Sequence, residues 1–250
     1  MLTVSIIMPI FNEETTLRNI LELVAAQRFH NDQIEREVLV IDNGSQDNSR
    51  SIIEEFCAKN ENFYPILIDK NVGKGAALKR GYNCGRGDIF LVQDGDLEYD
   101  PNDYEKLITP IVEKRTKFVL GIRRSLESNS VWRIRNIKNE RAYGFTLNVG
   151  GVVLNTLINI MYRARLRDQA TMYKVIHRDL VKNIRLESDG FDLEVEMICK
   201  WLRMGIHPVQ IPVNYRARSK KDGKKIRLIT DGIKFLKVVF LYRFKPLSQL

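Results

Sequence analysis

The first 120 residues alternate short apolar runs with helix-forming stretches, and that rhythm leaves few architectures open. Residues 4–9, 38–41, 64–68, 89–92 and 118–121 read as strands, and residues 14–27, 48–58, 71–82 and 101–113 have helical spacing or helix-opening turns. Short β-rich runs separated by helices predict a parallel sheet with helical crossovers, an α/β fold with a Rossmann-like, mostly parallel sheet flanked by helices. In such sheets ligands gather beyond the carboxyl ends of the strands. Asp42 and Asp94 each follow an apolar run, so both are expected in one cleft.

After Gly121 the rhythm breaks. Residues 123–141 read as a basic, polar, mobile loop, and residues 142–162 then run without a charge. Length alone would let the second stretch span a bilayer, which needs roughly 20 apolar residues. Asn148, Asn155, Asn159 and three glycines interrupt it, and such residues are unfavourable in lipid, so the expectation is a helix packed on the domain, at most touching lipid. A strand-like TMYKVI at 171–176, an amphipathic helix at 191–204, an edge strand HPVQIPVNY carrying two prolines, a basic loop RARSKKDGKK and a last helix at 226–244 complete the chain. With no repeats and no low-complexity linker, the reading is one domain over residues 1–225, followed by a C-terminal helix and tail over 226–250.

Charge narrows the partners. The formal net charge is +9, and residues 214–250 hold eleven Lys and Arg against Asp222 and Asp231, so the tail alone carries a balance equal to that of the whole chain. Anionic partners follow: nucleotide, phosphate, nucleic acid or acidic membrane. No nucleic-acid reading module is recognisable and no aromatics interleave the basic loop, so nucleic acid ranks last and no such partner is expected. Three scattered cysteines, Cys57, Cys84 and Cys199, have neither metal-ligand nor disulfide spacing, which fits a reducing, cytoplasmic setting. Residues 2–11 lack the basic lead of a signal peptide, and Pro9 interrupts the apolar run.

Four stretches carry candidate chemistry, each with a plainer alternative. In VQDGDLEYDP, residues 92–101, the carboxylates Asp94, Asp96 and Glu98 alternate, and an extended backbone would put them on one side. They suit a hard divalent cation with oxygen ligands, or an ordinary solvated turn. NVGKGAALKRGY, residues 71–82, fails the Walker pattern, because Ile68 stands where its first glycine belongs and Ala76 where Ser or Thr is needed. A glycine turn opening a helix can still hold an anion on backbone N–H groups, or be no more than a helix start. DNGSQDNS is built of turn and cap residues, but its Asp42 belongs to the ligand edge. The basic loop offers Arg216, Arg218, Lys220, Lys221, Lys224 and Lys225 to a diphosphate or lipid phosphate, or is a solvated charge run. His30, His177 and His207 have no partner at a telling spacing, and Trp132 and Trp201 read as packing residues.

Taken in order, SIIMPIFNEE, VLVIDNGSQDNS, NVGKGAALKRGY, FLVQDGDLEYDP, GIRRS, DQATMYKVIHRD, FDLEVEM and IPVNYRARSKKDGKKI resemble an inverting family 2 glycosyltransferase of the GT-A fold, and more narrowly the dolichol-phosphate mannose synthase and polyprenyl-phosphate glycosyltransferase branch. The resemblance spans almost the whole chain. It implies that Pro9, Phe11, Glu13 and Asp42 line the nucleotide-base pocket, that Lys74 and Gly75 adjoin nucleotide or sugar, and that Asp94 faces ribose or sugar. Asp96 and Glu98 would hold Mg²⁺ or Mn²⁺ against the donor diphosphate, Glu98 standing where this branch often has Gln. Arg123, Arg218 and Lys224 would grip donor or acceptor phosphate, and Asp168 would lie near sugar and acceptor. Asn43 departs from the commoner second Asp of the base pocket, leaving UDP and GDP both open.

The implied activity moves a sugar from a nucleotide-sugar to a polyprenyl phosphate, an anionic nucleophile that needs no strong base. A saccharide hydroxyl acceptor would need one, from Asp168 or Glu194. A noncatalytic module binding nucleotide or membrane is the alternative of a different class. Ile226, Ile229, Ile233, Leu236, Phe240 and Phe244 recur at three- and four-residue steps with Lys234 and Lys237 elsewhere. That pattern predicts a basic amphipathic helix lying on anionic lipid at the cytoplasmic face, or packed on the domain, a twin or a membrane-protein partner.

Overall fold

A computed structural model describes residues 1–125, 141–218 and 228–246. Seven strands form one sheet in the order β3-β2-β1-β4-β6-β5-β7: β1 (Leu2–Ile10), β2 (Ile34–Asn43), β3 (Phe63–Ile68), β4 (Ile89–Val92), β5 (Phe118–Ser125), β6 (Lys174–His177) and β7 (Val209–Tyr215). All pairings are parallel except those of β6, which runs antiparallel between β4 and β5. The helices are α1 (Glu14–Ala26), α2 (Ser49–Ala58), α3 (Lys74–Cys84), α4 (Tyr104–Val112), α5 (Arg141–Tyr162), α6 (Asp179–Lys182), α7 (Leu193–Arg203) and α8 (Leu228–Phe244).

The inner strands are near-continuous apolar runs because both sides are covered, as parallel sheets require. Val4, Ile6, Ile7 and Met8 of β1 and Val38, Val40 and Ile41 of β2 are fully buried. Each crossover helix contributes one stripe, such as Leu17, Ile20, Leu21 and Val24 of α1. From β1 the chain builds outward through β2 to β3 and then returns to place β4 on the other side. That reversal opens a crevice at the carboxyl ends of β1 and β4. The stretch expected to be a loop from residue 123 does not begin there, since β5 runs on to Ser125 beside β7 and carries Arg123 into the sheet; its residues 126–140 lie outside the described residues.

α5 packs through Leu147, Leu154, Ile158 and Tyr162. Asn155 and Asn159 turn their amides onto the Leu166 carbonyl, 2.8 Å each, so the asparagines that argued against a span are used to hold the following turn. By length and composition, Gly144–Tyr162 would nevertheless suffice to cross a membrane. Its outer stripe of Phe145, Val149, Val153 and Ile160 is exposed.

α8 corrects the predicted amphipathic pattern. The face it packs on the protein is Phe235, Val238, Val239 and Tyr242. Ile233, Leu236, Phe240 and Phe244, the stripe picked from spacing, point outward, Phe244 at 75% exposure. The helix is therefore apolar on two sides, not divided into an apolar and a basic half. Tyr162 Oη donates to the Val239 carbonyl, Arg203 donates to the Tyr242 carbonyl, and Tyr242 Oη reaches Glu187 at 2.6 Å.

Candidate active site

The carboxylate segment owes its shape to a cluster of tyrosines. β4 stops at Val92, and the next residue, Gln93, is fully buried. Its Oε1 takes the hydroxyls of Tyr104 and Tyr173, each at 2.9 Å. At the other end of the segment Tyr99 accepts the Met172 N–H at 3.0 Å and meets Tyr173 and Tyr215 edge-on. Between these anchors the backbone bends instead of running extended, and Asp96 Oδ1 accepts the Glu98 N–H at 3.0 Å. Strand alternation is thus not what assembles Asp94, Asp96 and Glu98, yet all three line one pocket of about 600 Å³.

Each acid has a cationic or N–H partner. Lys74 Nζ lies 2.8 Å from Asp94 and 3.2 Å from Glu194, and Glu194 takes a second lysine, Lys174, at 3.2 Å. Arg218 reaches Asp96 at 2.6 Å and Glu13 at 2.9 Å, while its backbone N–H donates to Glu98 at 2.7 Å. Burial pushes the Asp94 carboxyl above the usual range, with Glu194 and Glu98 adding to the effect against Lys74. Asp96 is pushed up to about 7 by burial and by Asp94 and Glu98, with Arg218 opposing. Burial would raise Glu194 too, but Lys174 and Lys74 outweigh it and hold this carboxyl low. Burial in turn lowers Lys174.

Among the described residues no three His, Cys, Asp or Glu side chains gather into a cage for a metal ion. Mg²⁺ often uses only one or two carboxylates and takes the rest of its shell from water and substrate phosphates. Asp96 and Glu98 meet that need. They are hard oxygen donors side by side, Asp96 is only 4% exposed, and the negative charge there is crowded enough to raise its pKa. The residues fit a divalent ion shared with a diphosphate, not one held by protein alone.

Pro9, Phe11 and Glu13 line the pocket, and Asn43 and Asn71 join them. Asp42 does not. Neighbouring strand residues point to opposite faces, and Asp42 turns into the β2–α2 corner, where Arg50 Nε and the Ser45 N–H hold it at 2.8 and 3.1 Å. Asn43 takes the pocket side, bonded to Asn71 Oδ1 and the Val72 N–H. Gly75 also faces away from the pocket. A side chain there would meet the Gly190 carbonyl at 2.7 Å, so this glycine lets α3 press against the 189–193 turn and present Lys74.

Arg123 lines the pocket but grips Asp168, with Nε and Nη2 each 2.7 Å from a different carboxylate oxygen and the backbone N–H on the same group. Tyr215 lies 5.1 Å from the guanidinium, and Asp168 sits behind it at 5% exposure. Lys224 and Trp132 fall outside the described residues. Lys174, Gln169, Phe191 and the α8 residues Asp231, Lys234 and Phe235 were not anticipated. All but Lys174 line the pocket, and Lys174 backs it through Glu194. Only the charge of Lys174, inside an otherwise apolar strand, was a usable signal.

The family profile described as Glycosyl transferase family 2 matches residues 5–185. A dolichyl-phosphate beta-glucosyltransferase of Dictyostelium discoideum is 26% identical over 97% of this chain and 74% of its own length. An undecaprenyl-phosphate 4-deoxy-4-formamido-L-arabinose transferase of Proteus mirabilis is 31% identical over 52% of this chain and 39% of its own. In three dimensions, glucosyl-3-phosphoglycerate synthase of Mycobacterium tuberculosis, solved with Mn²⁺, UDP-glucose and phosphoglyceric acid, superposes with a TM-score of 0.70 at 16% identity, covering 98% of this chain and 81% of that one. The fold therefore has solved counterparts of GT-A type. With its profile match covering most of the length, the chain belongs to glycosyl transferase family 2, the nucleotide-sugar-dependent glycosyltransferases.

Proposed function

We propose that this enzyme moves a sugar from a nucleotide-sugar to a polyprenyl phosphate, using Mg²⁺ or Mn²⁺, at the cytoplasmic face of a membrane. The nucleotide base would rest by Pro9, Phe11, Glu13 and Asn43, the ribose or sugar by Asp94 and Lys74, and the diphosphate between Asp96, Glu98 and Arg218. A divalent ion on Asp96 and Glu98 would offset the charge that builds on the departing nucleoside diphosphate. Arg218 lies close enough to share that task. Lys224 is proposed for the same phosphates. The acceptor oxygen attacks the anomeric carbon from the face opposite the breaking bond, which inverts that centre.

What favours a phosphate acceptor is the state of the two carboxylates that could deprotonate a hydroxyl. Asp168 spends both oxygens on Arg123, and Glu194 is held ionised between two lysines. A general base needs a free lone pair aimed at the substrate and a pKa near the working pH. An acceptor already ionised needs neither, and it asks instead for cationic side chains such as Arg218 and Lys234, which line the pocket. The relatives named for dolichyl and undecaprenyl phosphates point the same way. With labelled donor, the sugar is expected in the organic phase after solvent extraction, and excess chelator is expected to cut turnover at least a hundredfold, the scale of losing one strong electrostatic contact to the transition state. Label in the water phase alone would favour a saccharide acceptor.

The outward stripes of α5 and α8 support membrane contact. Phe145, Val153, Ile160, Ile233, Phe240 and Phe244 are exposed, Lys234 and Lys237 belong to α8 and Arg163 and Arg165 follow α5 in sequence, and the start of α8 lines the pocket. Burying one such aromatic is worth about 1.5–3 kcal/mol. Replacing Phe240 and Phe244 together with Asp should therefore lower co-sedimentation with anionic vesicles more than a hundredfold, while donor hydrolysis in detergent is unchanged. Equal vesicle binding by the double variant would remove these helices from the membrane account.

A further inference from the structure

Among the described residues that line the pocket, Gln169 carries a whole carboxamide that the mechanism leaves idle. It is 2% exposed, and both its Oε1 and its Nε2 are buried with no hydrogen-bond partner. Its backbone is fixed, because its N–H donates to Asn155 Oδ1 on α5 at 3.1 Å. The residue before it is locked to Arg123, and Thr171, two residues on, lies 3.4 Å from the Tyr99 hydroxyl. Buried polar groups are almost always satisfied, and one that is not calls for an explanation. A packing role would be filled more stably by Leu or Met.

The chemistry of the missing partner is narrow. A carboxamide offers two N–H donors and one carbonyl acceptor. A phosphate or carboxylate would satisfy the amino group and repel the carbonyl oxygen. A metal ion would do the reverse. Hydroxyl groups both donate and accept, so a pair of neighbouring hydroxyls answers both ends at once. The adjoining wall is already neutral, since Arg123 and Asp168 cancel one another. It therefore suits an uncharged ligand better than an anion.

We infer that Gln169 is a specificity-determining residue that hydrogen-bonds adjacent hydroxyls of a neutral sugar carried by the nucleotide donor. The inference rests on the proposed transfer to a phosphate, because such an acceptor brings no hydroxyls of its own and leaves the donor as their source; the donor's ribose carries a hydroxyl pair too, and unchanged binding of the free nucleoside diphosphate is what assigns the contact to the sugar.

The test uses the full chain with Mn²⁺ and a panel of UDP- and GDP-linked hexoses, the matching uronates and deoxy-hexoses, and the free nucleoside diphosphates as inhibitors. Gln169→Leu and Gln169→Met are expected to melt no lower than wild type and to bind the nucleoside diphosphate within twofold of it. For the best neutral sugar their kcat/KM should fall about tenfold or more, the scale of one or two hydrogen bonds. A deoxy-sugar lacking the hydroxyl concerned should cost wild type a similar factor and cost the variants nothing further. Such non-additivity is a readout that a merely structural residue would not give. Unchanged discrimination in both variants, or a loss confined to the acceptor's KM, would overturn the assignment while leaving the transferase reading intact. Wild-type protein that turns over no nucleotide-sugar at all would sink both.

Discussion

Asp96→Asn is expected to abolish Mn²⁺-dependent transfer and, in the same protein, to raise the melting temperature. The two effects share a cause. Asp96 is buried beside Asp94 and Glu98, and its pKa is pushed up to about 7 even with Arg218 at 2.6 Å. An ordinary aspartate in the unfolded chain titrates near 3.9. A carboxyl whose folded pKa is the higher one binds its proton more tightly in the native state. Its contribution to stability is fully present below about pH 4 and is lost as pH rises through about 7. At pH 8 the wild-type enzyme without ligands carries the full cost of the buried charge, and Asn removes it. Thermal melts from pH 5 to 8 should show the variant pulling ahead as pH rises, by about 2–4 °C for each kcal/mol relieved. Calorimetric titration with Mn²⁺ and a nucleoside diphosphate should show loss of the metal-dependent part of binding, and turnover should fall on the order of a hundred- to a thousandfold. A variant no more stable than wild type at pH 8, and still activated by Mn²⁺, would mean that Asp96 is a structural partner of Arg218 alone.

That coupling of strain to function was only partly legible in the chain. Alternation of strands and helices was enough to place Asp94 beyond β4 and to predict the cleft, because apolar runs covered on both sides are a local signal. The grouping of Asp94, Asp96 and Glu98 on one pocket was also foreseen, though for a mistaken reason. The segment bends, and Tyr99, Tyr104 and Tyr173 hold the bend from elements up to 80 residues away. Asp42 failed for want of one fact. A strand end offers two adjacent residues to opposite faces, and the partners that hold each one, Arg50 and the Ser45 N–H for Asp42 and Asn71 and the Val72 N–H for Asn43, come from turns and elements beyond the strand. α8 shows a different limit. A three- and four-residue repeat finds an apolar stripe, but a helix with two such stripes does not say which will pack, and here α5 and α7 take the one that spacing passed over. The pairing of Lys174 with Glu194 is likewise set by how β6 meets α7, not by anything near either residue in sequence.

The Arg123–Asp168 pair makes the other large prediction. Both partners are nearly buried, and the carboxylate accepts from the guanidinium twice and from the Arg123 backbone once. Removing one member of such a pair strands the other charge, at a cost of about 3–5 kcal/mol, whereas replacing both with apolar groups is often close to neutral. Asp168→Ala and Arg123→Met should therefore each lower the melting temperature on the order of 10 °C. Arg123→Met combined with Asp168→Leu should recover most of that loss and show a coupling well above 1 kcal/mol in urea unfolding. Function separates from stability in the recovered double variant. If Arg123 faces phosphate, the refolded protein stays inactive and no added base restores it, because the missing element is a cation. If instead Asp168 is a general base for a hydroxyl acceptor, the wild-type kcat/KM should fall along an acid limb, and Asp168→Asn should erase that limb. A phosphate acceptor gives Asp168 no proton to take, so the expected wild-type profile has no limb of its making, and Asp168→Asn shifts the whole curve down without changing its shape. Losses that simply add in the double variant would show that the two residues do not hold one another in solution.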